Sequence, residues 1–364
     1  MATSVSRTTY RSLLRASKRT FTHSTRTSAS SSSAAPSTSS WQPLLKPGVL
    51  PAYDEALYYL SSHSSSLRER IASLEKDHSD LTESERAQLK ESLEIAALIN
   101  DPATLAEFQS SSATNYDAAN PAFRHLRERL WRKDSGVLAK VIERCTLMHV
   151  FPDVIPGITP TADVQLSFGE GPGFTDHESN GGDVLVGAFV DPSLTVSPPV
   201  VNGNVFHTEP KKYTLAIVDP DQPDEEHQSY KTSLLALKTD IQLSATSDPR
   251  VDLTKDMEMD YIPPHPQQGT NYHRYVTVLF EQPQNSLKVQ GDRHDFNITH
   301  FIQQRALVPA GVHFWRAQWS HNAAETVSRV YTDILKTQEP KYTKPPTLDK
   351  VRKQIGDIGS KWFS

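Results

Sequence analysis

Cysteine is nearly absent from this chain of 364 residues, which has Cys145 alone. One cysteine cannot form a disulfide within the chain, so a disulfide-stapled secreted module and a zinc site built from several cysteines are both excluded. Long apolar runs are missing too: the longest, residues 184–190, is far shorter than the roughly 20 residues of a membrane-spanning helix. The sequence therefore excludes an integral membrane protein, and we expect no membrane insertion.

Acidic residues are absent from the first 53 positions, and the first 40 hold 13 serines, 8 threonines and six basic residues. This composition is typical of a mitochondrial transit peptide. Arg19, Phe21 and Ser24 resemble a two-step matrix-processing signal, which predicts a transit peptide over residues 1–28 and a mature start near Ala29. The alternative is a disordered basic tail that contacts nucleic acid or acidic lipid. We expect the mitochondrial matrix as the destination.

Removal of that segment would make the protein more acidic. The whole chain has 38 basic and 43 acidic residues, and loss of the six N-terminal basic residues leaves 32 against 43, a net charge of −11. Proteins that bind nucleic acid alone usually have a basic surface, because phosphate neutralisation supplies much of their affinity. We therefore expect any RNA contact to use local patches, with other proteins as the main partners.

The composition divides the remaining chain into four segments. Residues 29–52 are rich in Ser, Pro and Ala and predict a flexible lead-in. Residues 53–146 show helical apolar periodicity, which predicts a helical extension. Residues 147–335 contain short apolar runs between Pro, Gly and Asp clusters, as strands do. Residues 336–364 predict a basic C-terminal tail.

Several element boundaries are marked in the sequence. Thr82 and Glu85 predict a capping box at a helix start, and Asn120 before Pro121 predicts another helix that Gly136 interrupts. A closing helix is predicted over 327–335. The best candidate strands are 164–168, 184–189, 213–218, 233–237 and 275–280. The third of these is apolar on both faces, so we expect a central strand that is covered on both sides.

Three ordered blocks of sequence resemble one known family. They are residues 219–223, Asp-Pro-Asp-Gln-Pro; residues 269–276, Gly-Thr-Asn-Tyr-His-Arg-Tyr-Val; and residues 308–312, Val-Pro-Ala-Gly-Val, ahead of Gln318 and Trp319. In this order they resemble the signatures of the phosphatidylethanolamine-binding protein (PEBP) family, over roughly residues 150–335. The resemblance implies an α+β fold: a PEBP-like antiparallel β-sandwich with flanking helices, here preceded by a helical N-terminal extension.

The segments outside the sandwich resemble the mitochondrial ribosomal branch of that family. This implies a structural constituent of the large ribosomal subunit, with a role in mitochondrial translation and a place on the central protuberance. The PEBP-like domain would be a platform for other large-subunit proteins and rRNA. The alternative is a soluble matrix PEBP that binds a phospholipid headgroup or another anion, or that inhibits an enzyme. We expect neither enzyme activity nor a cofactor.

The family's anion pocket is only partly present in this sequence. The resemblance assigns to it Asp219, Asp221, His273 and Tyr275, and a protonated histidine with a tyrosine hydroxyl can hold a phosphate-like group. A second pocket histidine of the family is replaced in the stretch that contains Tyr230 and Lys231. A lysine attracts an anion only as a point charge, so the directed imidazole donor is lost. We expect a vestigial pocket in which Asp219 and His273 pair with each other.

Two basic clusters are candidate rRNA contacts. The cluster in the helical extension could equally be a solvated face balanced by Glu128 and Asp134, and the cluster in the C-terminal tail could be an unattached terminus. The histidines show no metal-ligand spacing, so no metal site is expected. The candidate residues are Arg124, Arg127, Arg129, Arg132 and Lys133 in the extension, and Lys350, Arg352 and Lys353 in the tail.

Overall fold

A computed structural model of the chain describes residues 41–76, 82–111, 117–169, 182–283, 286–289 and 292–342. The predicted transit peptide, most of the lead-in, and Lys350, Arg352 and Lys353 of the tail lie outside these residues. None of the described helices is long and apolar enough to cross a membrane.

The described helices are α1 (Pro51–Lys76), α2 (Glu83–Leu98), α3 (Pro102–Ser110), α4 (Pro121–Arg129), α5 (Val137–Leu147), α6 (Val150–Asp153), α7 (Ile298–Arg305) and α8 (Ala324–Arg329). Four of the described helices, α2, α3, α4 and α7, begin at a residue whose side chain caps them. The capping box of Thr82 and Glu85 is confirmed, and Asn120 Oδ1 accepts from the backbone N of Ala122 at 3.0 Å. Gly136 separates α4 from α5 with a positive φ of 67°, a conformation that favours glycine.

Two stretches of π-helical turn extend these helices. Leu130–Asp134 follows α4, and Val330–Leu335 follows α8. Together with α8, the second stretch forms the predicted closing helix.

The described strands form two four-stranded antiparallel sheets. The first has the order β2-β1-β3-β6, from β1 (Asp163–Ser167), β2 (Asp183–Val184), β3 (Val200–Asn204) and β6 (Arg250–Val251). The second has the order β5-β4-β7-β8, from β4 (Lys211–Asp224), β5 (Ser229–Leu243), β7 (His273–Glu281) and β8 (Val308–Ala317).

One prediction in this region was wrong. Residues 184–189 are not a full strand, because the backbone N of Ala188 donates to Leu185 O at 2.9 Å and closes a turn. Only Asp183–Val184 pairs as a strand there.

Two apolar layers cover the two faces of β4. Leu215 and Ile217 point between the sheets, where they join Leu166 of β1. Ala216 and Val218 point the other way, into the layer under the helices. Burial of one such aliphatic side chain is worth about 1.5–3 kcal/mol. The prediction of a central strand covered on both sides is confirmed.

Helix α5 belongs to this second layer. Its Val141 and Cys145 are buried in the same cluster as Val276 of β7 and Phe301 of α7. The helices before it make another set of contacts, in which α1 packs on α2 and α2 packs on α4. The segment boundary expected near residue 147 stays a prediction, but it falls after a helix that contributes to the core of the sandwich.

Candidate anion pocket

Asp219 lies at the end of the apolar part of β4 and is fully buried. Its Oδ2 accepts hydrogen bonds from His273 Nδ1 at 3.0 Å and from Gln222 Nε2 at 2.7 Å, and its Oδ1 accepts from the backbone N of Asp221 at 2.9 Å. Burial alone would raise the pKa of Asp219, but the His273 charge and these hydrogen bonds hold that pKa below its usual value. Both carboxylate oxygens are occupied within the protein.

His273, the first residue of β7, uses both ring nitrogens internally. Nδ1 faces Asp219, and Nε2 lies 3.0 Å from Oγ1 of Thr270, whose hydroxyl donates to Gln267 O at 2.9 Å. Since that hydroxyl proton is already used, the Thr270 oxygen accepts, and both imidazole nitrogens donate. Burial opposes the charged ring, but Asp219 raises the pKa of His273 above its ordinary value of 6.5. His273 is therefore an imidazolium with no donor left for a ligand.

Tyr275 is two residues further along β7 and is also fully buried. Its ring stacks between His273 and Trp315, with ring centroids 6.4 and 5.6 Å away. Its hydroxyl has no hydrogen-bond partner among the residues that the structure describes. Burial raises the pKa of Tyr275 well above 10, so the phenol stays neutral. The predicted convergence of Asp219, His273 and Tyr275 is thus observed, but beneath the surface.

Asp221 pairs with Arg274. Its Oδ1 accepts from Arg274 Nη2 at 2.6 Å, and its Oδ2 accepts from Nε at 2.8 Å. Nη1 of the same arginine donates to Met148 O and His149 O, at 2.9 and 2.8 Å. Asp221 therefore fixes an arginine that ties β7 to the α5–α6 connection.

A cleft of about 280 Å³ opens beside this pair. Asp221, His273 and Arg274 line it from the strands, His149 from the α5–α6 connection and Asp153 from the end of α6. Arg274 Nη1 also donates to Asp153 Oδ2 at 3.1 Å. Arg274 is thus neutralised by two carboxylates and His273 by Asp219, which leaves an anionic ligand little attraction.

Lys231 lines a different cavity, of about 190 Å³. It lies opposite Gln222 in the β4–β5 register, whereas Ser233 lies opposite Asp219. Among the residues described, it forms no ion pair, and His265 and His294 line the same cavity. Burial lowers the pKa of His265, so that ring is neutral. The structure therefore does not bring Lys231 into one site with His273.

The chain after the closing helix covers this second cavity. Thr337, Pro340 and Tyr342 contribute to its lining. The backbone N of Tyr342 donates to Gln268 O at 2.8 Å, and Gly269 has a φ of 95°. A Cβ at Gly269 would overlap the Tyr342 carbonyl oxygen. Glycine is therefore required both for this backbone conformation and for the close approach of residues 336–342.

Sequence reasoning missed Gln222, Gln267 and Thr270, which complete the hydrogen-bond network around Asp219 and His273. Gln267 Nε2 donates to Gln222 Oε1 at 2.6 Å, and Gln222 in turn donates to Asp219. Simple alternation places positions 219 and 222 on opposite faces of a strand. The register shifts between them, as in a β-bulge, and brings both side chains together. The Pro residues at 220 and 223 were the available signal for such an irregularity.

The candidate rRNA contacts in the helical extension differ in whether their side chains are already bonded within the protein. Arg124 is buried, where it donates to Ala118 O and pairs with Glu91 at 2.5 Å. It holds α4 against α2, so its expected role as an rRNA contact does not fit its burial.

Arg132 pairs with Glu128 at 2.6 Å, and Arg129 pairs with Asp134 at 3.3 Å. Glu128 and Asp134 are the two acids named in the alternative of a solvated, charge-balanced face, and the choice between that face and an rRNA contact stays open. Among the described residues, Arg127 and Lys133 have no ion-pair partner.

Comparisons with known proteins agree with this architecture. Residues 175–315 match the model of the family described as PBP, phosphatidylethanolamine-binding protein. Large ribosomal subunit protein mL38 of Schizosaccharomyces pombe is 26% identical to this chain over 243 residues, which are 66% of this chain and 74% of that protein.

In two similar solved structures, the region that matches this chain covers nearly all of the solved chain. Carboxypeptidase Y inhibitor, complexed with its cognate proteinase, is 17% identical and covers 50% of this chain and 97% of its own, with a TM-score of 0.42. Phosphatidylethanolamine-binding protein from Plasmodium vivax is 19% identical and covers 49% and 97%, with a TM-score of 0.35. The two antiparallel sheets, the helices before them and the family match over residues 175–315 confirm the predicted α+β PEBP-like fold with a helical N-terminal region. This chain contains a domain, within residues 175–315, that matches the model of the phosphatidylethanolamine-binding protein family.

Proposed function

We propose that this chain is a structural constituent of the large subunit of the mitochondrial ribosome. The observation that carries the proposal is the extent of its similarity to mL38. That similarity spans 243 residues, whereas the family match spans only residues 175–315. The likeness to a ribosomal protein must therefore extend beyond the residues that match the family model.

The closed anion site supports a structural role. Asp219, His273 and Asp221 each direct their polar atoms at partners within the protein. A ligand would have to displace these bonds, and each broken bond would leave a buried polar group unsatisfied at a cost of about 1–3 kcal/mol. This hydrogen-bond network therefore stabilises the domain. We propose that the domain acts as a platform and has no enzyme activity.

The helical extension supplies surfaces for other large-subunit proteins. Tyr58 and Tyr59 of α1 are 74% and 64% exposed, and Leu44 and Val49 ahead of the helix are 92% and 64% exposed. Exposed aromatic and aliphatic side chains of this kind are typical of residues that anchor protein interfaces. We propose the mitochondrial matrix as the compartment, on the transit-type N-terminus, and the central protuberance as the location, on the resemblance to the family's ribosomal branch.

Sedimentation tests the proposal directly. A gently lysed mitochondrial extract is run on a sucrose gradient, and this chain is followed beside large-subunit rRNA. We expect co-migration that survives a moderate salt wash, as for an integral ribosomal protein. Recovery in the light fractions alone would overturn the proposal.

Anion binding by a soluble matrix protein has one observation in its favour. Lys231 has no ion-pair partner among the described residues and shares its cavity with His294. Isothermal titration with inorganic phosphate and with phosphoethanolamine distinguishes the two functions. A ribosomal platform predicts no heat beyond dilution, whereas saturable binding that Lys231→Gln abolishes would favour the alternative.

A further inference from the structure

A cavity of about 310 Å³ lies away from the anion site, on the outer face of the first sheet. Gln165 of β1 is directly opposite Asn202 of β3, and both contribute to the lining. Residues 164 and 203 beside them are buried or face the core, so the amides project outward. Arg127 of α4 lines the other side. The helical extension thus partly covers this sheet face and leaves a polar recess that is open to solvent at Gln165 and Thr246.

The lining has the chemistry of a site for an anionic group with a polar ring. It contains no carboxylate, and its only charged residue is Arg127. In the part of the chain that the structure describes, neither Arg127 nor Asn202 makes a side-chain hydrogen bond. Phe206 adds an aromatic ring, and hydroxyls come from Ser244 and Thr246. A guanidinium binds phosphate oxygens in two-point geometry, while side-chain amides hydrogen-bond the edges of bases.

Asp163 lies just behind this lining and fixes one of the amides. It is buried opposite Asn204, and its Oδ2 accepts from Gln165 Nε2 at 2.7 Å. That bond holds the Gln165 amide in one orientation and leaves its oxygen for a ligand. Burial raises the pKa of Asp163, against hydrogen bonds and the Arg127 charge that lower it.

Aromatic and cationic groups continue along the same edge. Trp131 is buried and packs at a tilt against Phe206, with ring centroids 5.4 Å apart, so it supports the Phe206 ring from behind. The Arg132 guanidinium lies 5.3 Å from the Trp131 ring centre. Lys133, the next residue, is exposed. Aromatic rings beside cations along a groove are typical of proteins that bind single-stranded RNA, because bases stack while phosphates are neutralised.

We propose that this cavity binds one unpaired nucleotide of ribosomal RNA, with its phosphate at Arg127 and its base between Phe206 and the amides of Gln165 and Asn202. The inference rests on the proposed ribosomal function and names the RNA-binding site of that function. Its volume is at the lower end of the 300–1,000 Å³ usual for ligand pockets, which suits a single nucleotide and not a duplex.

Fluorescence polarisation of the purified full-length chain with labelled single-stranded U10 and A10 tests the proposal. We expect Arg127→Gln to weaken binding about tenfold and to reduce the slope of log K against log salt by about 0.7, the value for one phosphate contact on a single strand. Lys140→Gln removes one exposed charge from α5 outside the cavity, and this control should change affinity less than twofold. Equal effects of the two variants would overturn the proposal.

Asn202→Asp is a second variant that preserves the shape of the side chain. It places a carboxylate in the cavity, so we expect at least a tenfold loss of RNA affinity with an unchanged melting temperature. Unchanged RNA affinity would overturn the proposal.

Three competitors identify the occupant: uridine monophosphate, a ten-base-pair RNA duplex and an acidic decapeptide. Uridine monophosphate contains the whole unit that the cavity holds, so it should displace U10 at high concentration. Displacement of U10 by the duplex or by the peptide, or no displacement by the monophosphate, would also overturn the proposal.

A measurement in mitochondria separates this inference from the proposed function. Ultraviolet cross-linking of isolated large subunits should join rRNA to the peptide that contains Phe206, and Arg127→Gln should remove that cross-link while the chain still co-sediments. Co-sedimentation without any cross-link near the cavity would overturn only the RNA site. Failure of the unmodified chain to co-sediment would overturn the proposed function itself.

Discussion

His273 donates its Nδ1–H to Oδ2 of Asp219 across 3.0 Å, and both side chains are essentially excluded from solvent. The pair joins the end of β4 to the start of β7 at the place where an anion pocket was expected. A buried ion pair contributes to stability only when other hydrogen bonds complete it, and here Gln222, Asp221 and Thr270 supply them. The groups that would bind an anion are used to hold two strands together.

The first prediction concerns Asp219→Asn. Both oxygens of Asp219 accept from N–H donors, so the amide nitrogen of asparagine would face one of those donors and leave the His273 ring without a counter-charge. Removal of one partner from a buried pair typically costs about 3–5 kcal/mol. We expect a loss of about 3 kcal/mol in the free energy of unfolding, measured by urea denaturation.

Asp224→Asn is the matched control for that variant. Asp224 accepts from His227 Nδ1 at 2.7 Å, in a pair whose histidine is 76% exposed. Exposed pairs contribute little because water screens them. We expect almost no change in the urea midpoint, and an equal loss in both variants would contradict the role assigned to the buried pair.

The second prediction is a pH dependence. The folded pKa of His273 is raised above 6.5, so its contribution to stability is complete below about pH 6.5 and is lost as pH rises through the folded pKa. The folded pKa of Asp219 is lowered below 3.8, so its contribution is present above that value and is lost as pH falls through the folded pKa. We expect the pair to stabilise the protein most between about pH 4 and 6.5.

Urea unfolding of the unmodified chain and of His273→Gln, across pH 4 to 9, measures this dependence. Their difference in unfolding free energy should shrink on the alkaline side as the imidazolium loses its proton. A difference that is constant from pH 5 to 9 would mean that the pKa of His273 is the same in the folded and the unfolded protein, against this prediction.

The third prediction concerns the segment that covers the Lys231 cavity. Gly269→Ala would place a methyl group against the Tyr342 carbonyl at a positive φ, so we expect residues 336–342 to detach. The measurement is limited proteolysis: tryptic cleavage at Lys336 should become several times faster, with about 1–3 kcal/mol less stability.

Gly157→Ala is its control, because a Cβ there meets no atom within 4 Å. Its cleavage rate at Lys336 should equal that of the unmodified chain. If Gly269→Ala is cleaved no faster than this control, the covering segment is not held by the contact at Gly269.

The sequence predicted the central strands well because burial and alternation act locally. Leu215 and Ile217 alternate with Ala216 and Val218, and both sets are fully buried. Strand β8 was not predicted, because Pro309 and Gly311 interrupt its pattern. Gly311 is instead required by packing, since a Cβ there would approach a side-chain methyl of Val164 across the two sheets at 2.6 Å. A contact between distant segments leaves no periodic signal in either one.

The candidate site was predicted only in part, for a similar reason. The motifs identified Asp219, His273 and Tyr275, and their convergence follows from strand pairing. The position of Lys231 depends on the β-bulge between Asp219 and Gln222, which shifts the register between β4 and β5. Alternation alone cannot locate such a shift, so the separation of Lys231 from His273 emerged only from the three-dimensional structure.

The last prediction concerns the start of the PEBP domain. Because Val141 and Cys145 of α5 are buried against β7 and α7, we propose that the folded domain begins at Val137 and not after residue 146. Deletion of residues 53–136 should leave a chain that unfolds cooperatively in urea but no longer associates with the large subunit. Deletion of 53–147 should abolish the cooperative transition, because an apolar layer of the core would lose one wall. Equal urea midpoints for the two deletions would show that α5 is dispensable for folding. Retained association would show that the chain binds the large subunit through residues outside the extension.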